Sequence, residues 1–193
     1  MIADCTAIIL AGGESKRMGR DKAALPFNGE TLLQHVIVCV QPLFAQTLVS
    51  VRELRNDVSL PQICDTQADG GPLVGLISAL EKVTTPWAFV VACDMPFVAP
   101  ALLTHLATLR ANHQAVVPQV NGQAQPLAAF YARSALPLLQ SSLANGNKSL
   151  IGALKSLDVR YVEANELLQF DPQLRSFFDL DTPQDVALAE GMK

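Results

Sequence analysis

The sequence lacks the cysteine spacing of a metal or redox site. Its four cysteines, Cys5, Cys39, Cys64 and Cys93, lie at least 25 residues apart and form no CxxC pair. Neither a zinc site nor thiol redox chemistry therefore has local support. Each cysteine lies in or beside an apolar run, which favours a small buried hydrophobic residue over a catalytic thiol.

Neither a signal peptide nor a membrane-spanning helix is readable in the sequence. The segment Met1–Ala11 contains Asp4 and no basic residue, and Asp94 interrupts the most apolar stretch. Signal peptides need a basic start, and spanning helices need about 20 apolar residues. We therefore expect a cytoplasmic protein without a membrane partner.

Positive charge is scarce. Lys and Arg total 14 against 18 Asp and Glu, while 17% of the residues are charged and 50% are hydrophobic. The acidic balance disfavours a nucleic-acid partner, although a local basic loop can still bind a phosphate. The apolar content and the length of 193 residues predict a single folded domain over residues 1–193.

Apolar runs alternate with segments of helical periodicity up to about Asn112. The runs CTAIILA and PWAFVVACD are typical of strands buried on both faces, and PLVGLISALEKV of a helix. This alternation predicts an α/β fold: a Rossmann-like, doubly wound and mostly parallel sheet in three layers, α/β/α. Beyond Gln114, the Asn121-Gly122 pair predicts a hairpin and a small β insertion.

The loop after the first strand has the composition of a phosphate-binding loop. Gly12 and Gly13 allow backbone N–H groups to approach an oxyanion, and Arg17 and Lys22 supply positive charge. The loop matches neither GxxxxGK[ST] nor GxGxxG. A glycine-rich turn with solvated charges is the alternative interpretation.

Asp94 ends the third buried strand. Because ligands of parallel sheets bind beyond the carboxyl ends of the strands, we expect Gly12, Gly13, Asp65 and Asp94 on one edge. A carboxylate there is suited to Mg²⁺, the usual partner of phosphates. A turn before Pro96 would also explain this aspartate.

Five segments, in their order and spacing, resemble the molybdenum cofactor guanylyltransferases. The resemblance covers nearly the whole chain. It implies a nucleotidyltransferase fold and the transfer of GMP from GTP to the terminal phosphate of Mo-molybdopterin, with Mg²⁺ as cofactor. The segments are LAGGESKRMGRDKA (Leu10–Ala23), CDTQADGGPLVGLISAL (Cys64–Leu80), ACDMPF (Ala92–Phe97), QPLAAFY (Gln125–Tyr131) and FFDLDTPQD (Phe177–Asp185).

The resemblance also implies roles for individual residues, with residues 1–112 forming a nucleotide-binding half and residues 113–193 an acceptor-binding half. Catalytic positions are matched by Arg17, Lys22 and Asp94, and Asp94 also matches the Mg²⁺ ligand. Nucleotide-contacting positions are matched by Leu10, Ala11, Gly12, Gly13, Lys22, Asp65 and Asp94. Acceptor-side positions are matched by Gly71, Gly75, Gln125, Pro126 and Lys148.

The chain departs from the family pattern at two places. Asp179 and Asp181 stand where many members have asparagine, and the carboxylate of Asp181 is a candidate second metal ligand. A base-side asparagine is also absent, with Ser50 or Arg52 at the nearest positions.

Two other functions remain open. A molybdenum cofactor cytidylyltransferase has a similar opening motif but alanine where Gly12 stands, so Gly12 favours the larger guanine. A non-catalytic nucleotide- or pterin-binding chaperone is the alternative from a different class. In each case a transient contact with a molybdoenzyme or its chaperone is expected.

Overall fold

A mixed β-sheet runs through the computed structural model, which describes residues 1–12, 21–65 and 71–192. Its strands and those of a small separate hairpin are β1 (Ile2–Leu10), β2 (Pro26–Phe27), β3 (Glu30–Thr31), β4 (Phe44–Val51), β5 (Gln62–Cys64), β6 (Trp87–Ala92), β7 (Ala115–Val120), β8 (Gln123–Ala124), β9 (Ala128–Ala132) and β10 (Val159–Glu163). The helices are α1 (Leu32–Val40), α2 (Gly71–Lys82), α3 (Pro100–Thr108), α4 (Leu136–Ala144), α5 (Leu150–Leu154), α6 (Ala164–Leu167) and α7 (Pro183–Glu190).

The main sheet is mostly parallel, as the sequence predicts. Its strand order is β10-β7-β9-β6-β1-β4-β5, with β8 paired to β7, while β2 and β3 pair only with each other. Parallel pairs join β1 to β4 and β6, β4 to β5, and β7 to β10. The strand β9 lies antiparallel between β6 and β7. The chain reaches β9 from β7 through a hairpin, which is too short for a parallel crossover.

The predicted hairpin forms at Asn121 and Gly122. Both residues have positive φ, 51° and 74°, as the favoured two-residue turn of a twisted hairpin requires. Its strands β7 and β8 pair antiparallel, and β7 also continues the main sheet beside β9. The β insertion is therefore an extension of the main sheet.

Helices cover both faces of this sheet. Successive residues of β1 point to opposite faces, so that Ile8 packs with α2 and Ile9 with α1 and α3. Both side chains are fully buried, which explains why this strand reads as a continuous apolar run. None of the described helices has the length and apolar character needed to cross a lipid bilayer.

The parallel strands end together at one edge of the sheet. Leu10, the last residue of β1, is in register with Ser50 of β4 and Ala92 of β6, and Val51 is in register with Cys64 of β5. The residues that follow these strands therefore meet at this edge, where the structure places Gly12, Asp65 and Asp94.

Candidate active site

A first cavity of 170 Å³ opens at the carboxyl edge of β1, β4, β5 and β6. It combines strand ends with the start of α2 and the short 3₁₀ turn Lys22–Ala24. Its described lining residues are Leu10, Ala11, Gly12, Asp21, Lys22, Ala23, Ser50, Asp65, Gly71, Pro72, Gly75, Ala92, Cys93, Asp94 and Leu127.

Asp65 is fixed on one wall of the first cavity. The buried hydroxyl of Ser50 donates a hydrogen bond of 2.8 Å to Oδ1 of Asp65. Burial raises the pKa of this carboxyl, although the hydrogen bond from Ser50 and the charge of Arg52 act in the opposite direction. Asp65 is therefore held by contacts within the protein before any ligand arrives.

Glycines allow the backbone to pass close to Asp65. A Cβ added at Gly12 would lie 3.0 Å from Oδ2 of Asp65, and one added at Gly75 would lie 3.1 Å from Oγ of Ser50. Any side chain at these two positions would push against the Ser50–Asp65 pair. Glycine at both positions thus preserves the shape of this wall.

Lys22 lies between two carboxylates. Its Nζ donates to Oδ2 of Asp94 at 2.8 Å and also to Oδ1 of Asp181. Burial alone would lower the pKa of Lys22, but the hydrogen bonds with Asp181 and Asp94 outweigh it and raise the pKa. The lysine is therefore a fixed positive charge at neutral pH, half-buried at the edge of the sheet.

The closing segment, Phe177–Asp185, is anchored so that the carboxylate of Asp181 contacts Lys22. Leu180 is fully buried, and its N–H donates to the carbonyl of Asp94 at 2.9 Å. Thr182 caps α7 in a reciprocal pair with Asp185. Because Thr182 and not Asp181 is the cap, the carboxylate of Asp181 is available to Lys22.

The pair Asp94 and Asp181 is the candidate metal site. Both carboxylates approach one cationic nitrogen, so the space between them suits a positive charge. Mg²⁺ is often held by one or two carboxylates together with substrate phosphates, and this donor set fits that pattern. Within residues 1–12, 21–65 and 71–192, no group of three or more His, Cys, Asp or Glu side chains forms a complete metal site.

A second cavity of 730 Å³ adjoins the first and shares Ala92, Asp94 and Leu127 with it. It is built from the β7–β8 hairpin, the segment after it and residues 173–181. Amide side chains and aromatic rings line it together. The described residues that line it include Asn121, Gln123, Gln125, Pro126, Ile151, Gln173, Arg175, Phe177, Phe178, Asp179 and Asp181.

The predicted site residues divide between the two cavities. Gly13 and Arg17 lie outside the described residues. Lys148 is exposed and is not among the residues lining either cavity. The first cavity collects Leu10, Ala11, Gly12, Lys22, Asp65, Asp94, Gly71 and Gly75, and the second collects Asp94, Asp181, Gln125 and Pro126.

Sequence reasoning missed two residues of these cavities. Asp21 lines the first cavity and caps the 3₁₀ turn, accepting a hydrogen bond of 3.1 Å from the N–H of Ala23. Its position directly before Lys22 was the available signal, since Asp is a common cap. Arg175 lines the second cavity, and no local pattern distinguishes it from a surface arginine.

Comparison with known proteins identifies the family of the chain. The family model for the MobA-like NTP transferase domain matches residues 7–159. A probable molybdenum cofactor guanylyltransferase from Chloroflexus aggregans is 38% identical over 195 residues, covering 96% of this chain and 93% of that protein.

Solved structures extend the comparison to the fold. Molybdopterin-guanine dinucleotide biosynthesis protein A from Archaeoglobus fulgidus superposes with a TM-score of 0.86 at 30% identity, covering 97% of each chain. The 2-C-methyl-D-erythritol 4-phosphate cytidylyltransferase of Thermus thermophilus shares the fold with a TM-score of 0.70, at 16% identity and 96% coverage of each chain. The chain belongs to the family of MobA-like NTP transferases, with the molybdenum cofactor guanylyltransferases among its relatives.

Proposed function

We propose that the protein transfers GMP from GTP to the terminal phosphate of Mo-molybdopterin, giving molybdopterin guanine dinucleotide cofactor and pyrophosphate. The observation that carries this proposal is the meeting of two cavities at Asp94, with Lys22 beside it. A transferase that joins two substrates needs such adjacent sites, and the names of the relatives supply the substrates.

The reaction needs positioning and charge neutralisation more than it needs a base. A phosphate oxygen of the pterin attacks the α-phosphorus of GTP, a new P–O bond forms, and the bond to the bridging oxygen of the β-phosphate breaks. Pyrophosphate leaves with that bonding electron pair. Because the attacking phosphate is already an anion, the described site needs no His or Cys nucleophile.

Lys22 is the described cation best placed to act on the phosphates. Its ammonium group binds Asp94, which both cavities share, so it lies where the attacking phosphate would approach the α-phosphate. A fixed positive charge there lowers the repulsion between two anions. Arg17 keeps the same role as a prediction.

Asp94 and Asp181 would hold Mg²⁺ in this proposal. The bound ion would neutralise charge on the phosphates of GTP. The two carboxylates already share the cation of Lys22, so a metal and the lysine compete for the same oxygens. We infer that the Lys22 ammonium group would turn from these carboxylates toward the phosphates of bound GTP.

The first cavity would receive the nucleotide and the second the pterin. Gly12 leaves room beside Asp65, which favours guanine over the cytosine of the alternative cytidylyltransferase. In the second cavity, amide groups and aromatic rings match the hydrogen-bonding edge and flat face of a pterin. Gly71 and Gly75, which the resemblance matches to acceptor-side positions, line the first cavity and would instead contact the nucleotide. Gln125 and Pro126 line the second and would contact the acceptor, as predicted.

The product cofactor would pass to a molybdoenzyme or its chaperone by a transient contact. We propose a cytoplasmic location for this transfer. Residues 1–112 would bind the nucleotide and residues 113–193 the acceptor. Both parts contribute strands to one continuous sheet, since β9 of the second part pairs with β6 of the first.

Pyrophosphate release tests the proposal. The protein is mixed with Mo-molybdopterin and Mg²⁺, and release is compared for GTP, CTP and ATP. The variant Asp94→Ala removes the shared carboxylate, and Asp158→Asn is the control because Asp158 is exposed and pairs with His113 outside both cavities.

Release that is specific to GTP, lost in Asp94→Ala and retained in Asp158→Asn is the expected result. A preference for CTP would replace the proposal by cytidylyl transfer. Nucleotide binding without release from any triphosphate would instead support the chaperone.

A further inference from the structure

Arg55, on the connection between β4 and β5, binds two carboxylates, those of Asp57 and of Asp21, and Asp21 lines the first cavity. Its Nε and Nη2 donate to the two oxygens of Asp57 at 3.1 and 3.0 Å. Its Nη1 donates to Oδ2 of Asp21. The Arg55 side chain is only 16% exposed although it belongs to a loop.

The backbone of Arg55 is held as firmly as its side chain. The side-chain amide of Gln62, at the start of β5, bonds to both backbone groups of Arg55. Its Oε1 accepts from the N–H of Arg55, and its Nε2 donates to the carbonyl of Arg55, both at 2.8 Å. The same amide nitrogen also donates to the carbonyl of Val58 at 3.2 Å. A residue of the sheet thus fixes the loop from which the guanidinium extends.

Asp21 links the Arg55 side chain to the turn that contains Lys22. One carboxylate oxygen accepts from Arg55, and the other accepts from the N–H of Ala23. The second contact caps the 3₁₀ turn Lys22–Ala24, in which the N–H of Leu25 donates to the carbonyl of Lys22. The side chain of Ala23 is buried in the core, so the turn is held on both sides.

We propose that Arg55 is a positioning residue for nucleotidyl transfer, acting through Asp21 on Lys22. This inference rests on the function proposed above. The fork of the guanidinium fits two carboxylates at once, and this fixes the turn from which the Lys22 side chain starts.

The contacts of Arg55 with Asp21 and Asp57, here called the Arg55 clamp, are tested by Arg55→Ala and Arg55→Lys. The control is Arg160→Ala. Arg160 also pairs with a carboxylate, that of Glu166, but lies on β10 outside both cavities. We expect Arg55→Ala to lower kcat for pyrophosphate release about 10-fold, because a small displacement of a catalytic cation is costly. Lysine should restore part of this loss, and Arg160→Ala should leave kcat unchanged.

A double-mutant cycle with Lys22→Ala separates positioning from general stability. If Arg55 acts through Lys22, Arg55→Ala should cost little further in the Lys22→Ala background. The same further loss in both backgrounds, or an unchanged kcat in Arg55→Ala with a lowered Tm, would overturn the proposal.

GTP binding, measured by calorimetry without the acceptor, tests the positioning role of Arg55 separately from the proposed nucleotidyl transfer. Arg55→Ala should weaken GTP binding about fivefold in the wild-type background, the scale of one partly exposed ion pair, and leave it unchanged in Lys22→Ala. This pattern would support the clamp even if the wild-type protein releases no pyrophosphate. Equal affinities for wild type and Arg55→Ala would refute the effect of the clamp on the nucleotide site.

Discussion

The two cavities that meet at Asp94 are built in different ways. The first is small, 170 Å³, and consists largely of strand ends whose polar groups are already bonded to one another, such as Ser50 with Asp65. The second is larger, 730 Å³, and is assembled from a hairpin and the closing segment. In the second, the Gln125 side chain makes one weak described contact, at 3.4 Å with the carbonyl of Gln123.

This difference indicates how the two sites would treat their substrates. Preorganised polar groups favour a defined ligand, because little ordering is needed when the ligand binds. A wider cavity with less constrained amides can adapt to a larger and more varied acceptor. Substitutions in the first cavity should therefore act on the nucleotide, and substitutions in the second on the acceptor.

Lys22→Ala should have the largest effect because Lys22 lies at the boundary of both cavities. We expect kcat to fall about 100- to 1000-fold, the scale of losing one electrostatic contact to the transition state. Pyrophosphate release at saturating substrates measures the loss. The exposed Lys155, outside both cavities, provides the control Lys155→Ala. A loss below threefold in Lys22→Ala would remove this lysine from the mechanism.

Gly12→Ala tests the rigidity of the first cavity. The new Cβ would lie 3.0 Å from Oδ2 of Asp65, whose other oxygen is held by Ser50. We expect KM for GTP to rise about 10-fold, since an interaction of about 1.4 kcal/mol is lost, while KM for the acceptor stays constant. The ratio of activity with CTP to activity with GTP should increase.

The control for Gly12→Ala is Gly191→Ala. Gly191 lies outside both cavities, and its added Cβ would come no nearer than 3.4 Å to the Leu188 carbonyl. Unchanged nucleotide kinetics in Gly12→Ala would show that the wall around Asp65 adapts as readily as the second cavity.

Gln125→Ala addresses the second cavity. Because its amide is weakly held, its loss should leave the fold intact and raise KM for the acceptor about fivefold, the scale of one hydrogen bond. KM for GTP should not change. The control is Gln140→Ala, on α4, where the side chain pairs with Glu81 outside both cavities. An effect on GTP alone would reverse the assignment of the cavities.

The sequence predicts the first cavity better than the second for a physical reason. Gly12, Asp65 and Asp94 each follow an apolar strand, and the parallel register brings these strand ends to one edge. The apolar runs and the parallel topology are therefore sufficient to predict that these three residues lie together. Lys22 is part of the same continuous segment as Gly12, so its charge could also be recognised.

The contacts that join distant segments could not be predicted from local patterns. Lys22 and Asp181 are 159 positions apart, and their pairing depends on the burial of Leu180 and on its hydrogen bond to Asp94. In the sequence, Arg55 cannot be distinguished from any other loop arginine. Its fixed position depends on the hydrogen bonds between its backbone and the side chain of Gln62. The acceptor-side role of Lys148 stays a prediction, because its exposed side chain is among the lining residues of neither cavity.

Asp179→Asn should have the smallest effect and depend on pH. Partial desolvation, and then the nearby carboxylates of Asp181 and Asp94, raise the pKa of Asp179 in the folded protein. Ionised Asp179 therefore costs stability, and this cost is absent below the unfolded pKa of about 3.9. It develops as the pH rises and is complete above the folded-state pKa.

The asparagine variant should therefore melt at a higher temperature than wild type at pH 7 and at the same temperature near pH 3. With one negative charge fewer in the second cavity, KM for the anionic acceptor should fall about twofold at pH 7, the scale of an exposed charge interaction. Thermal melts across this pH range, with Asp158→Asn as the control, measure the first effect. A gain in Tm of equal size at both pH values would contradict the electrostatic explanation, because a protonated Asp179 carries no charge to remove.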